Sequence, residues 1–446
     1  MKNFFTTISN IWKIDDLRVR ITNTLLFLLI YRVGSFVVLP GVNPATLNNK
    51  QAEGIAGLLN MFAGGSFSRA SIFALGVMPY ISASIVVQLL GIAVPYFAKL
   101  QKEGESGRNK LNQWTRYLTI GITALQAIGY LKSQITPEQM LIGNPYFTIL
   151  NMCVLTAGTM FVMWLGEKIT DKGIGNGISL VIMVGIISAL PGAFLTEFQS
   201  RNAGAGGLVT FVVEIVALIG VVMFTILIVQ GTRKIAVQYA KRIVGNKQVG
   251  GVRQYIPLKV NAAGVMPIIF AQALMFIPAT IAQFFPKAAS NSVLMSLSDY
   301  TAWGHNVLFA ILIIAFTYFY TAITVNPNQM AEDMKKNGGF VPGVKPGKAT
   351  ADFIDGVISK ITLPGSIFLA IIAIVPALAS LVHVTSAFAR FFGGTSLIIL
   401  VGVVLDTLQQ IESHLLMRHY DGLMKTGRIK GRTAIPSSGG TNQPVI

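Results

Sequence analysis

The 446-residue chain is 52% hydrophobic and only 12% charged, with 44 glycines and a formal net charge of +17, a mixture that argues against a water-soluble globular fold. Apolar stretches of membrane-crossing length, about 20 residues for a hydrocarbon core of about 30 Å, recur along it. They lack the alternation of barrel strands, so an all-α integral membrane protein is expected. One cysteine, Cys153, excludes an intramolecular disulfide. Of the histidines only His414 and His419 lie close together, so no metal site is expected.

Residues 1–20 carry Lys2, Lys13, Arg18 and Arg20 but no compact apolar core followed by a small-residue cleavage site, unlike a removable signal peptide. Phe4, Ile8, Ile11, Ile14 and Leu17 fall at helical spacing and predict an amphipathic segment lying on the cytoplasmic membrane surface. The first span is expected over 21–39. The following connection contains GIAGLLNMFAGGS (54–66), which is apolar, glycine-rich and too short to cross. It reads either as an interfacial helix or as a segment re-entering from outside; half-crossing backbone is tolerated only where protein or a water-filled cavity surrounds it.

Further spans are expected over 70–92, 114–131, 147–165, 177–196, 208–230, 261–284, 305–325, 361–382 and 395–412. Pro79 in the second and Pro267 and Pro278 in the seventh predict kinks. Both spans carry Val-Met-Pro ahead of branched apolar residues, at like places in a five-plus-five division, which points to a repeat architecture.

With the N-terminus cytoplasmic, the outward loops hold only Lys50, Lys132, Arg201, Lys287 and Arg390, apart from Arg69 at the mouth of the second span. The bias of the remaining basic residues to the other side sets both termini in the cytoplasm. Two cytoplasmic loops are long enough to bind something outside the membrane. The first, 231–259, holds Arg233, Lys234, Lys241, Arg242, Lys247, Arg253 and Lys259 without an acid, which suits anionic lipids or a polyanion such as ribosomal RNA. The second, 326–360, has mixed charge around a Gly/Pro-rich tip from Gly338 to Gly347, expected to be a stiff exposed turn. The tail, 413–446, is cytoplasmic and from about 432 has a disordered composition.

No pattern supports catalysis or a cofactor. DKGIGNGIS (171–179) has no preceding strand and no following Lys-Ser/Thr, so it reads as a turn between helices, and GVKPGKAT (343–350) misses the phosphate-loop spacing. Charges within spans are few: Arg32, Glu214 and Asp406. A secondary transporter with broken helices is the alternative from another class. It should bury more polar side chains near mid-span than Ser82, Ser84, Gln88, Ser179, Ser188 and Gln272. An intramembrane enzyme would need a nucleophile–base pair or metal ligands, and none is evident.

Several ungapped blocks make the chain resemble the SecY family from near Arg20 to near residue 430: YRVGSFVVLPG (31–41), NMFAGGSFSRASIFALGVMPYISASIVVQLL (60–90), KEGESGRNKLNQWTRY (102–117), GTMFVMWLGEKITDKGIGNGIS (158–179) and FVPGVKPGKAT (340–350), supported by FGGTSLIILV (392–401). The resemblance implies ten transmembrane helices in two pseudo-symmetric five-helix halves, 21–196 and 197–412, around a central hourglass channel in the cytoplasmic (inner) membrane of a bacterium. It implies a plug near 54–67, including Asn60, Met61, Phe62, Gly64 and Gly65. The pore ring would be Val77, Ile81, Ile178, Ile182, Ile269 and Ile399, closing around a passing chain and dewetting when empty.

Spans two and seven, with three and eight, would form a lateral gate on which Ser82 and Gln88 are placed to bond across helices. Secretory preproteins, signal peptides and transmembrane segments would be its cargo. SecE-like and SecG-like small membrane subunits would assemble with it. A ribosome or the SecA motor ATPase would dock on Arg233, Lys234, Lys241 and Arg242 and on the turn of Gly343, Lys345, Pro346 and Gly347. Lys345 stands where the family is expected to place arginine, keeping the charge but losing the planar fork.

Overall fold

The computed structural model describes residues 12, 14–44, 54–141, 143, 146–204, 207–239, 242–244, 247–249, 253–284, 296–297, 299 and 301–425. Most of the expected N-terminal amphipathic segment, Lys241 and the tail beyond 425 lie outside these residues. Among the described residues every expected span is a helix.

Helix α1 (Asp15–Gly34) has Asp15 and Asp16 in its first turn and Arg32 in its last, as the helix dipole favours. It ends at Gly34, short of the predicted residue 39, and an added Cβ there would meet the Phe73 ring at 2.1 Å. The chain then turns, and Val38 bridges Ser71. The glycine-rich connection contains a short helix, α2 (Gly54–Phe62), followed by turns from 63 to 77 that the bridge at Ser71 interrupts.

The second span, α3 (Met78–Ala93), therefore starts later than expected, and Pro79 does not kink it. It sits in the first helical turn, where a missing N–H leaves no hydrogen bond unmade. The sharp bend lies instead at Val94, where α4 (Pro95–Lys102) turns away from α3 by 104°, as expected when proline forbids continuation of the preceding helix.

Three long helices follow: α5 (Glu105–Gln134), α6 (Tyr146–Lys172) and α7 (Gly177–Asn202). The glycine-rich turn before α7 is a helix cap, with Asn176 Oδ1 accepting from Ser179 N at 3.3 Å. An added Cβ on Gly177 would meet Gly166 O at 2.0 Å, so this turn is built for close helix contact. Helix α8 is Gly207–Gln230 and α9 is Met266–Phe284. Pro267 is the second residue of α9, as Pro79 is of α3, and Gly76 and Gly264 both have positive φ, 54° and 66°. The repeated Gly-Val-Met-Pro is thus a twice-used helix start rather than a twice-used kink.

The remaining helices are α10 (Trp303–Thr324), α11 (Pro327–Lys336), α12 (Lys348–Leu381), the single turn α13 (Ser386–Ala389) and α14 (Gly394–Lys425). Helices α6, α7, α8, α10, α12 and α14 are each long and apolar enough to cross a bilayer, and the whole forms the all-α membrane bundle expected.

The two long polar loops are more ordered than simple connectors. Strand β1 (Thr232–Tyr239) is followed by a small hairpin, β2 (Arg242–Val244) and β3 (Lys247–Val249). It then pairs antiparallel with β4 (Arg253–Lys259) in the register Arg233↔Leu258 and Val237↔Gln254. Strand β5 (Gly339–Phe340), from the second loop, adds to the other edge of β1. Ile235 and Val237, two apart, bury one face against Met334 of α11 and Ile354 of α12. This period-2 pattern is only a few residues long, and the basic residues around it hide it in the sequence.

Candidate functional site

Five elements converge inside the bundle. Ile81 on α3, Ile182 on α7, Ile269 on α9 and Ile399 on α14 line one small cavity of about 20 Å³ together with Phe62 at the end of α2. Val77 and Ile178 join the same apolar cluster but not the wall of this cavity. Branched side chains from four helices close this space with no charged side chain in its lining, leaving water few partners there.

Ser82 and Gln272 are polar members of that wall. Ser82 Oγ donates to Met78 O at 3.2 Å and Gln88 Nε2 to Ser84 Oγ at 3.2 Å, so these bonds run along α3 rather than across to a neighbouring helix.

Outside the cavity, directional bonds hold the segment after α2. Asn60 Oδ1 accepts from both Ser68 N and Ser68 Oγ at 3.0 Å, and Gly65 N donates to Asn60 O at 2.7 Å. Gly64 and Gly65 take φ of 63° and 84°, a left-handed turn that side chains rarely allow. Gly64 O accepts from two guanidinium groups, Arg32 and Arg69, each at 2.8 Å. Both cations also lie over the Phe36 ring, 4.9 and 4.3 Å from its centroid. Tyr130 Oη donates to Phe67 O at 2.7 Å.

Gly185 of α7 gives this segment its bed, since a Cβ there would meet Phe62 O at 2.4 Å. Met61 and Asn60 face a second, outer cavity of about 160 Å³ bounded by Ala193 of α7 and by Ala387, Arg390 and Phe391.

The sequence alone places Arg32 among span-embedded charges and Arg69 at a helix mouth, without partners; only three-dimensional proximity joins them to Gly64. It also places Arg201 in an outward loop. The structure corrects this: α7 runs on to Asn202, and Arg201 is buried beside Glu197 and Glu214.

On the sheet formed by the two polar loops, Arg233 and Lys234 are exposed on β1, and Arg242 begins β2. Gly343 and Gly347 have φ of 86° and 103°. Between them Lys345 and Pro346 are exposed, and Thr350 Oγ1 ties back to Lys345 O at 2.9 Å. Pairing of β1 with β5 brings the basic strand and this turn onto one sheet. Among the described residues no group of three or more His, Cys, Asp or Glu side chains is disposed to hold a metal ion.

A multi-pass helical bundle with an apolar waist and a separately tethered segment packed against it is the class of membrane protein that this fold defines. The chain belongs to the SecY family, whose model matches residues 71–408. The protein translocase subunit SecY of Halalkalibacterium halodurans is 45% identical over 441 residues, covering 94% of this chain and all of the relative. That of Bacillus subtilis is 43% identical over 430 residues, with 94% and 100% covered. Among solved structures, a protein-conducting channel superposes with TM-score 0.66 at 17% identity, covering 94% of this chain and 95% of the other. Sec61 in the canine ribosome–channel complex does so with TM-score 0.62 at 16% identity, with the same shares covered.

Proposed function

We propose that this chain is the pore-forming subunit of a bacterial protein-translocation channel, conducting unfolded secretory polypeptides across the cytoplasmic membrane and releasing transmembrane segments sideways into lipid. The observation that carries this reading is the cavity lined by Ile81, Ile182, Ile269, Ile399 and Phe62. Branched apolar side chains can part around an extended chain of any sequence and close again, because their contacts are non-directional. The kinship with translocase subunits supports the same reading over a secondary transporter.

In this proposal Val77 and Ile178 complete the ring, Asn60–Gly65 is the plug, and α3 and α9 with Ser82 and Gln88 border the lateral gate. The halves are 21–196 and 197–412, and both termini are cytoplasmic. Arg233, Lys234, Lys241 and Arg242, with the turn from Gly343 to Gly347, receive a ribosome or a SecA-like motor. SecE-like and SecG-like subunits and anionic lipids surround the bundle. The chain does no chemistry of its own and takes its energy from those partners.

The test is to trap a secretory chain midway and ask whether a cysteine in it crosslinks to cysteine placed at Ile81 or Ile269, in a Cys153→Ser background. Crosslinks that depend on the signal segment and the energy source are expected. Their absence, with delivery shown to work, would remove the ring from the conduit.

A further inference from the structure

At the outer end of α7 a buried polar cluster crosses from one half of the bundle to the other. Arg201 Nε donates to Glu197 Oε1 at 2.9 Å, and its terminal nitrogen donates to Glu214 Oε1 on α8 and to His383 O at 3.0 Å. Glu197 Oε2 in turn accepts from Thr385 N at 2.9 Å and from Thr385 Oγ1. The exposures of Glu197, Arg201 and Glu214 are 0%, 4% and 6%, so water screens these bonds little. One helix of the first half is thereby fastened to the first helix of the second half and to the connection between α12 and α14.

Three further observations show that the cluster is built for geometry. Two carboxylates share one guanidinium, and Glu214 Oε2 has no hydrogen-bond partner among the described residues; buried ionic groups in this state stabilise less than apolar packing would. His383, whose carbonyl Arg201 holds, has φ of 62°, a left-handed conformation rare outside glycine and kept only where the surroundings over-determine it. Phe194 also packs edge-on to Phe211 of α8 at 5.0 Å and to Phe388 of α13 at 6.3 Å, linking α7 to the same two neighbouring regions.

The connection so held leads directly into the outer cavity. Thr385 precedes α13, and Ala387, Arg390 and Phe391 form one wall of the chamber that Asn60 and Met61 face from the other side. We propose that Arg201 is a positioning residue: it pins the two halves together at the outer end of α7, fixes their resting angle, and so sets how tightly the plug is seated and the ring closed. The proposal rests on the channel reading above. Arginine is required because one planar fork must reach two carboxylates and a carbonyl at once, whereas lysine concentrates its three donors on one nitrogen.

The experiment compares the wild-type complex with Arg201→Lys and with Thr385→Val, a milder change that keeps side-chain shape and the backbone N–H. Resting ion leak per complex in planar bilayers and export of a preprotein with a crippled signal segment are read. So is disulfide formation between Ser82→Cys and Ala273→Cys, both on the ring cavity, in a Cys153→Ser background. Arg201→Lys is expected to raise resting leak roughly tenfold, a one-decade shift in a closed–open equilibrium. It should also admit the crippled signal and slow the gate disulfide, while export with an intact signal is kept. Thr385→Val should move the same readouts less.

A residue with only a structural role would lower the yield or melting temperature of the complex and leave leak per complex unchanged. If both variants, or Thr385→Val alone where Arg201→Lys fails to accumulate, show wild-type leak and signal stringency, the proposal is overturned. Failure of the channel reading itself is seen separately, as absence of ring crosslinks in the wild-type complex.

Discussion

The apolar waist and the polar rim of this protein are closed by opposite means. At the waist, isoleucines from α3, α7, α9 and α14 meet Phe62 through dispersion and water exclusion, with no bond that specifies a partner. At the rim, Gly64 O takes two arginines, Asn60 takes both donors of Ser68, and Arg201 crosses between halves. Contacts without direction suit a surface that must yield to many chains. Bonds with direction suit a segment that must return to one seat, because their strength falls steeply with misalignment.

The strongest way to break this contrast is to lift the segment after α2 from its bed. Gly185→Leu puts a side chain where a Cβ already meets Phe62 O at 2.4 Å, and backbone cannot yield as a side chain can. Resting conductance in a bilayer is expected to rise by an order of magnitude or more; unchanged conductance would mean the segment after α2 does not seal the channel.

Next in size is removal of the paired cations. Arg32→Ala with Arg69→Ala deletes two charge-assisted bonds to Gly64 O, each worth about 1.5–3 kcal/mol in typical settings. Resting leak should rise, with each single variant showing part of the effect. If the double variant seals as well as wild type, apolar packing alone seats the plug.

A smaller effect is expected from the waist, since the plug still stands behind it. Ile81→Ser with Ile269→Ser should raise leak a few-fold by wetting the cavity, whereas Ile81→Leu should leave it unchanged. Equal leak in the serine and leucine variants would show that branched apolar surface is not what keeps the waist dry.

The smallest effect on closure should come from the basic sheet. Reversing Arg233, Lys234, Lys241 and Arg242 to Glu is expected to leave leak alone and to weaken ribosome binding. The slope of log affinity against log salt should also become shallower, by nearly one for each phosphate that the strand no longer neutralises. Wild-type affinity and salt slope would reduce this strand to a topology signal.

Much of the bundle is legible in the chain because lipid imposes a one-dimensional rule: a span must be apolar for about 20 residues and must satisfy its own backbone. The same rule misjudges Pro79 and Pro267, since a proline that starts a helix and one that bends it look alike until the preceding glycine's φ is known. It passes over β1 and β5, whose pairing joins residues of two separate loops. Ser82 and Gln88 read as polar gate residues, but no sequence rule says whether such side chains bond along a helix or across it.

By itself, then, the sequence determined the membrane class and the places of most spans, both of which depend on local composition. Only the tertiary structure decided that Ile81, Ile182, Ile269 and Ile399 share one wall with Phe62, that Arg32 and Arg69 meet at Gly64, and that Arg201 stands between Glu197, Glu214 and His383. These are meetings of residues far apart in the chain, and a directional bond exists only once packing has brought donor and acceptor to within hydrogen-bond distance.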